Sequence, residues 1–419
     1  MRTSLRQPWY TKPFRNPLVS EGETKVGRVH RIAIDRTEPL SRQPHTGHNR
    51  WHPDIQPILT VEPGSTVVLE TRDALDGMIT PDTRASELDN IEMGRIHPLT
   101  GPVYVKGAEP GDLLEVKITD VRPESFGFTA ILPGFGILRE CFRNPFLAKW
   151  KISNGEATSA QLPNVWIPGT PFMGVMGVAP SRELLERVER RELDLLKRGG
   201  MVLPPSPEGA VPATEPIKQH GLRTVPPREN GGNIDIRHLS VGTTVYFPVF
   251  VRGALFSAGD AHFAQGDCES CGTAIEIGAT LEAELQIHKK AANESHMRGP
   301  HYTRFEGTGP RLAARGPFYA TTGIPLSDDG QNEAEDVTLA AKNALLSMID
   351  HIVLAYGFSR EEAYALTSVA VDLHISELVD VPNVLVSAFL PLEIFVKNHI
   401  SNVKNHIANG VERRGDYGL

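Results

Sequence analysis

The sequence predicts an α+β, β-rich fold: sheets of sandwich or barrel type, with a smaller α/β part towards the C-terminus. A turn ending in glycine leads into a strand-like run three times, at Val61-Glu-Pro-Gly-Ser, Ala108-Glu-Pro-Gly-Asp and Leu239-Ser-Val-Gly-Thr. Such turn-centred repeats suit antiparallel strands and are too short for a solenoid. Helical spacing appears mainly beyond residue 335, where the chain changes character.

Five regions follow in order. Residues 1–55 are rich in Pro, Arg and His and read as an extended arm. Residues 56–180 form a β-rich domain, with strands at 66–71 and 113–118 and apolar segments at 146–152 and 172–178. Residues 181–230 open with Ser181 as an N-cap, Glu183 in the first turn and Gly199-Gly200 after the end, which predicts a charged surface helix over 182–198. A Pro-rich excursion follows, with seven prolines in 202–227. Residues 231–290 are again β-rich, with runs at 244–251, 249–255 and 273–287, and carry the polar site. Residues 291–419 make the α/β part. There, 293–310 reads as a loop. Val337, Ala340, Ala341, Ala344, Leu345, Met348 and Ile352 mark one helix, and the capping box Ser359-Arg-Glu-Glu362 opens a second to about residue 368. Asp380-Val-Pro-Asn383 breaks the chain before a strand at 384–392.

The bulk properties narrow the function. The chain has 419 residues, 40% hydrophobic and 22% charged, with a net charge of −8 and no long run of one sign. Nucleic acid normally selects a basic patch, so it is not the expected partner. No continuous apolar run approaches the roughly 18–20 residues that span a bilayer. Met1-Arg-Thr-Ser-Leu-Arg-Gln-Pro lacks an apolar signal core. Three cysteines do not make a disulfide scaffold, and the expected compartment is the reducing cytoplasm.

The densest chemistry lies in Gly259-Asp-Ala-His-Phe-Ala-Gln-Gly-Asp-Cys-Glu269, between two strand-like runs. Imidazole plus carboxylates is a ligand set for a divalent metal ion. On an extended backbone Asp260 and His262 point to one face, and the turn can return Asp267 and Glu269. The same residues also suit an Asx-rich turn with a hydrogen-bonded histidine. Asn230-Gly231-Gly232 demands an unusual turn, and Asn233 and Asp235 share a face if extended. Glu70, Asp73, His97 and Glu140 stand on separate segments. His45, His48 and His52 crowd the arm, with His48 or His52 placed near the site. Cys271 could be a nucleophile if a base and an electropositive pocket lowered its pKa. It better suits a small buried residue opening a strand.

Together these segments resemble the acetamidase/formamidase family. The resemblance is carried by His48-Asn-Arg-Trp-His-Pro-Asp-Ile55, Thr100-Gly-Pro102, residues 107–112, Thr224-Val-Pro-Pro-Arg-Glu-Asn-Gly-Gly-Asn233, Pro248-Val-Phe-Val251, residues 259–269 and Val381-Pro-Asn383. It implies a hydrolase of small amides, a β-rich fold with a smaller α/β part, a homo-oligomer and a metal ion. Position 268 is usually Gly in that family and is Cys here. Position 140 is often Asp and is Glu here. The segment 79–87 also departs, so a larger or cyclic amide such as a lactam is as open as formamide or acetamide.

The expected mechanism is metal-assisted amide hydrolysis. Asp260, His262, Asp267 and His97 hold a divalent ion, zinc first, which acidifies water and polarises the carbonyl. Glu269 or Glu140 moves the proton to the leaving nitrogen. Asn233 and Asp235 join the catalytic groups. Asn230, Gly231, Gly232 and Gln265 contact the substrate, with Asn230, Asn233 or the glycine amides donating to the oxyanion. The alternatives are a metal-independent amidase using Cys271 and a non-catalytic small-ligand-binding β scaffold.

Overall fold

The computed structural model describes residues 28–304, 317–379 and 383–395. The strands that position the site are β1 (Ser65–Thr71), β2 (Leu99–Val105), β3 (Leu113–Ile131), β4 (Phe146–Ser153), β5 (Phe172–Gly177), β6 (Gly231–Asn233), β7 (Thr244–Pro248), β8 (Phe256–His262) and β9 (Glu276–His288). All belong to one large sheet whose main path runs β4-β3-β9-β8-β5-β6. β9 also pairs with β1, β8 with β2, and β3 with β7. Strands from residues 56–180 and 231–290 thus interleave. β3 and β9 are long because their alternating apolar residues, such as Val116, Ile118 and Val121 facing Leu285, Ala283 and Leu281, bury one face continuously.

The smaller part is a three-stranded sheet, β10 (Phe318–Gly323), β11 (Asp372–Glu377) and β12 (Leu385–Pro391), with β12 central. The helix α1 (Arg182–Lys197) starts at Ser181, whose side chain accepts from Leu184 N, and buries only Leu184, Leu185 and Val188. The helix α2 (Val337–Tyr356) is capped by Asp336. By length and hydropathy α2 could reach across a bilayer. Its face of Ala340, Ala344, Leu345, Met348 and Ile352 is instead buried in the core it shares with the small sheet. The capping box at Ser359 opens α3 (Arg360–Ala370), which packs on β3 and β4 as well as on β12. One apolar core therefore runs from the large sheet into the α/β part.

Some expectations are corrected. Residues 249–255 form a loop, not a strand, with Ala254 and Leu255 at φ +57° and +59°. The strand comes next, so Gly259 to His262 lie inside β8 rather than in a knot between strands. The 293–310 segment contains a short helix, Ala291–Glu294, reaching into its start, and a strand, His301–Thr303. Residues 380–382, which carry most of the Val381-Pro-Asn383 match, lie outside the described residues.

Candidate active site

β8 ends at His262, whose register partner on β9 is Glu276 and on β5 is Phe172. That pairing puts an imidazole and a carboxylate side by side in the middle of a buried sheet. Asp260, two residues earlier, turns to the same side at φ +53°. The chain then turns back through residues 263–269 and delivers Glu269, at φ +49°. Asp235 arrives just after β6 at φ +42°, with its amide and that of Ile234 donating to Gly174 O. Three of the four carboxylates around His262 thus occupy the left-handed region, which costs of order 1–3 kcal/mol per residue and concentrates at functional sites.

Distances divide the cluster. His262 Nε2 lies 3.2 Å from Glu276 Oε2 and 3.5 Å from Asp260 Oδ1. Glu269 Oε1 and Asp235 Oδ1 stand at 3.9 and 4.0 Å. Ligands bonded at about 2.0–2.1 Å to one tetrahedral ion are roughly 3.3 Å apart. The distances of Glu276 and Asp260 from His262 match that spacing, and those of Asp235 and Glu269 stand slightly outside it. Burial divides the cluster the same way: the side chains of His262, Glu276 and Asp260 are 1%, 2% and 4% exposed, those of Glu269 and Asp235 14% and 19%. Solvent reaches the cluster past Asp235 and Glu269.

The buried atoms Asp260 Oδ1, His262 Nε2, Glu276 Oε2 and Asp235 Oδ1 have no hydrogen-bond partner. Each such atom costs about 1–3 kcal/mol. The four atoms face one another, so shared protons or a bound cation can satisfy them. The donor set, one imidazole nitrogen and carboxylate oxygens, fits a divalent ion such as zinc.

The charges respond to this crowding. Burial, with Asp260 and Glu276 opposite, pushes the Asp235 carboxyl up to about 8. Burial and the Asp260 charge raise Glu276 to about 7. Burial and Asp235 hold Glu269 well above the usual carboxylate range. For Asp260, burial is outweighed by His97 and His262, and the carboxyl is held low. Burial would lower His262, but Glu276 and Asp260 raise it well above the usual imidazole value.

Two residues of this site were not singled out in the sequence. Glu276 was legible as a lone acid between Ile275 and Ile277 at the head of a buried strand. Gly174 had no signal within its own segment. A Cβ there would stand 2.6 Å from Asp235 Oδ1 and 2.8 Å from His262 Cε1. Phe172 meets the His262 ring edge-on at 5.1 Å between centroids.

Of the residues expected at the site, Asp260, His262, Asp235, Glu269 and Gln265 come together. Asp267, Glu140, Asn230, Gly231 and Gly232 do not join them. Asp267 turns away and groups with Asp372 and His374, its amide donating to Asp372 Oδ1 at 3.1 Å. Glu140 is exposed and paired with Lys342, because its loop lies against α2. Asn230 is buried with its amide donating to Val178 O, which ties it to the backbone. Gly231 and Gly232, both at φ +96°, are paired on one side with β5 and on the other with Pro227 and Arg228. A Cβ on Gly231 would stand 2.4 Å from Met176 O, so close strand packing explains that glycine. Asn233 pairs with Val175, and its buried Oδ1 has no partner. His97 feels the charges of Asp260 and His262, and its buried Nδ1 has no partner, but it falls outside both groups of ligating atoms around His262. His48 is committed to Arg50 O and Ser257 Oγ, and His52 to the Asp54 amide. Burial raises the Cys271 thiol, and Cys271 N is held by Ser368 Oγ.

A model of the acetamidase/formamidase family matches residues 33–397. The chain belongs to that family. Among its members, the formamidase of Methylophilus methylotrophus is 34% identical over 368 residues, covering 83% of this chain and 89% of that protein. The acetamidase of Mycolicibacterium smegmatis is 34% identical, covering 80% of this chain and 88% of the relative. A solved gamma lactamase from Delftia acidovorans superimposes with a TM-score of 0.82 at 33% identity, over 88% of this chain and 93% of its own.

Proposed function

We propose that this family member hydrolyses small linear or cyclic amides with a divalent ion, zinc first, held by Asp260, His262 and Glu276. It is an amidohydrolase of non-peptide C–N bonds, as its formamidase and acetamidase relatives are named. The observation that carries the metal reading is the convergence of unpartnered Asp260 Oδ1, His262 Nε2 and Glu276 Oε2 at ligand spacing. The lactamase neighbour supports including cyclic amides.

When bound, a divalent ion supplies Lewis acidity, polarising a carbonyl and making water more acidic. The chain's own groups do the proton work. Glu269 and Asp235 face the approach and share His262 as neighbour. Two crowded carboxyls do not both ionise readily, so one keeps a proton while the other accepts one. Glu269 takes the proton of the attacking water and returns it to the departing nitrogen, which leaves as amine rather than amide anion. Asp235 holds the second proton position. The surrounding sheet keeps bulk water from the inner three groups.

The test is ammonia release, or ring opening, across a panel from formamide to a bicyclic lactam. Native, chelated and metal-restored protein are compared, with metal content read in parallel. Activity that leaves and returns with the ion is expected. Full activity in metal-free protein overturns the metal reading. Cys271→Ala is expected to retain activity, because its buried thiol is pushed away from the thiolate form a nucleophile needs.

A further inference from the structure

Gln265 is 5% exposed and uses both ends of its amide inside the protein. One end lies 2.7 Å from the main-chain O of Asp235, the other 2.9 Å from His262 Nδ1. A carbonyl oxygen only accepts, so the amide NH2 must face Asp235. The reverse orientation would set oxygen against oxygen at that distance. Oε1 therefore faces His262, and because it too only accepts, Nδ1 carries the hydrogen. The lone pair of a neutral ring is then on Nε2, the atom aimed at Asp260 and Glu276. The backbone of this residue is itself held: Arg237 Nη1 donates to Gln265 O, and Gly266 N to Ser368 O.

We infer that Gln265 is a positioning residue, whose amide fixes the His262 ring for ion binding and tethers the left-handed Asp235 segment, and that it does not contact substrate. The inference rests on the metal reading above for its consequence, though not for its geometry. Gln265 indexes one inner and one outer group of the cluster with a single rigid amide. Outer partners of a ligating histidine fix its tautomer and orientation in this way.

Gln265→Leu and Gln265→Glu test it, with two readouts. Divalent-ion affinity is measured by competition with a zinc chelator. The His262 ring Nδ1–H signal is followed by NMR in protein labelled at histidine nitrogen, with and without zinc. Q265L is expected to weaken zinc binding by about 10–100-fold and to lose the protected ring signal. Q265E, which keeps an acceptor facing Nδ1, retains that signal and binds zinc more tightly than Q265L. Gln265→Asn, one methylene short of both partners, carries the same expectation as Q265L and serves if Q265L folds poorly. Native zinc affinity and an unchanged ring signal in Q265L, with KM raised at saturating zinc, would make Gln265 a substrate contact and overturn the inference. If native protein binds no divalent ion, the metal reading falls, while the ring signal in metal-free protein still decides the role of Gln265.

Discussion

The cluster around His262 and the cluster around Asp372 contain the same kinds of side chain. Each brings an imidazole and carboxylates within 4.8 Å of one another, and each lies partly buried. In the second, Arg237 is ion-paired with Asp372 and lies 3.8 Å from Asp267, so the protein supplies its own cation. In the first, no Lys or Arg is paired with Asp235, Asp260, Glu269 or Glu276 among the described residues, and four buried atoms lack partners. Similar spacing therefore serves opposite ends. The Asp372 cluster fastens the loop 265–269 to β11, and the His262 cluster keeps its acceptors open.

The largest effects should fall on the open cluster. Glu269→Gln is expected to lower kcat by about 10²–10⁴-fold while the ion stays bound, because it removes the proton carrier and no inner ligand. Asp260→Asn should lose the ion as well. Steady-state kinetics with metal analysis separates the two, and full activity in either variant breaks the assignment. In the fastened cluster, Arg237→Leu leaves Asp372 buried without its cation and should cost about 3–5 kcal/mol of stability in denaturant unfolding. A cost near zero would mean that the pair does not fasten the loop.

A pH series sharpens the comparison further. Asp235, at about 8, and Glu276, at about 7, lie above their ordinary values of 3.8 and 4.5. Metal-free folded protein therefore binds more protons than unfolded chain between about pH 4 and 8, and its stability falls as pH rises through that window. His262, also raised, acts in the same direction. The metal-loaded form replaces those protons with the ion, so the melting temperatures of loaded and chelated protein should diverge from pH 5 to 8. A flat profile in chelator would contradict the buried, cation-free acids.

The smallest effect concerns Cys268, at φ +101°, where glycine is the comfortable residue. Cys268→Gly should stabilise the protein by about 1 kcal/mol without changing zinc content, read as a rise in melting temperature. A fall would show that the Cβ is accommodated without strain.

Periodicity and caps made the elements legible. Ser181, Ser359 and the alternation of residues 113–118 predicted α1, α3 and the start of β3, because these are local preferences of backbone and side chain. The Asp-x-His pair does end on one side, but Asp260 reaches it at φ +53° and not by the alternation of an extended chain. Asp267 and Glu140 do not reach it, because whether a carboxylate faces an imidazole or an arginine depends on the return path of a loop. Glu276 was missed for a related reason: the register that sets it opposite His262 belongs to two strands fourteen residues apart (262 and 276), not to either one.

The sequence by itself determined the β-rich class, the helices of the C-terminal part, the family motifs and the chemical kinds of group at the site. Tertiary structure alone decided which acids meet His262, which acquire an arginine, and why Gly174 must lack a side chain. Local sequence governs dihedral angles and burial along one element. The site is made where β5, β8, β9 and the segment after β6 cross, and only their packing brings its imidazole and carboxylates within 4.8 Å of one another.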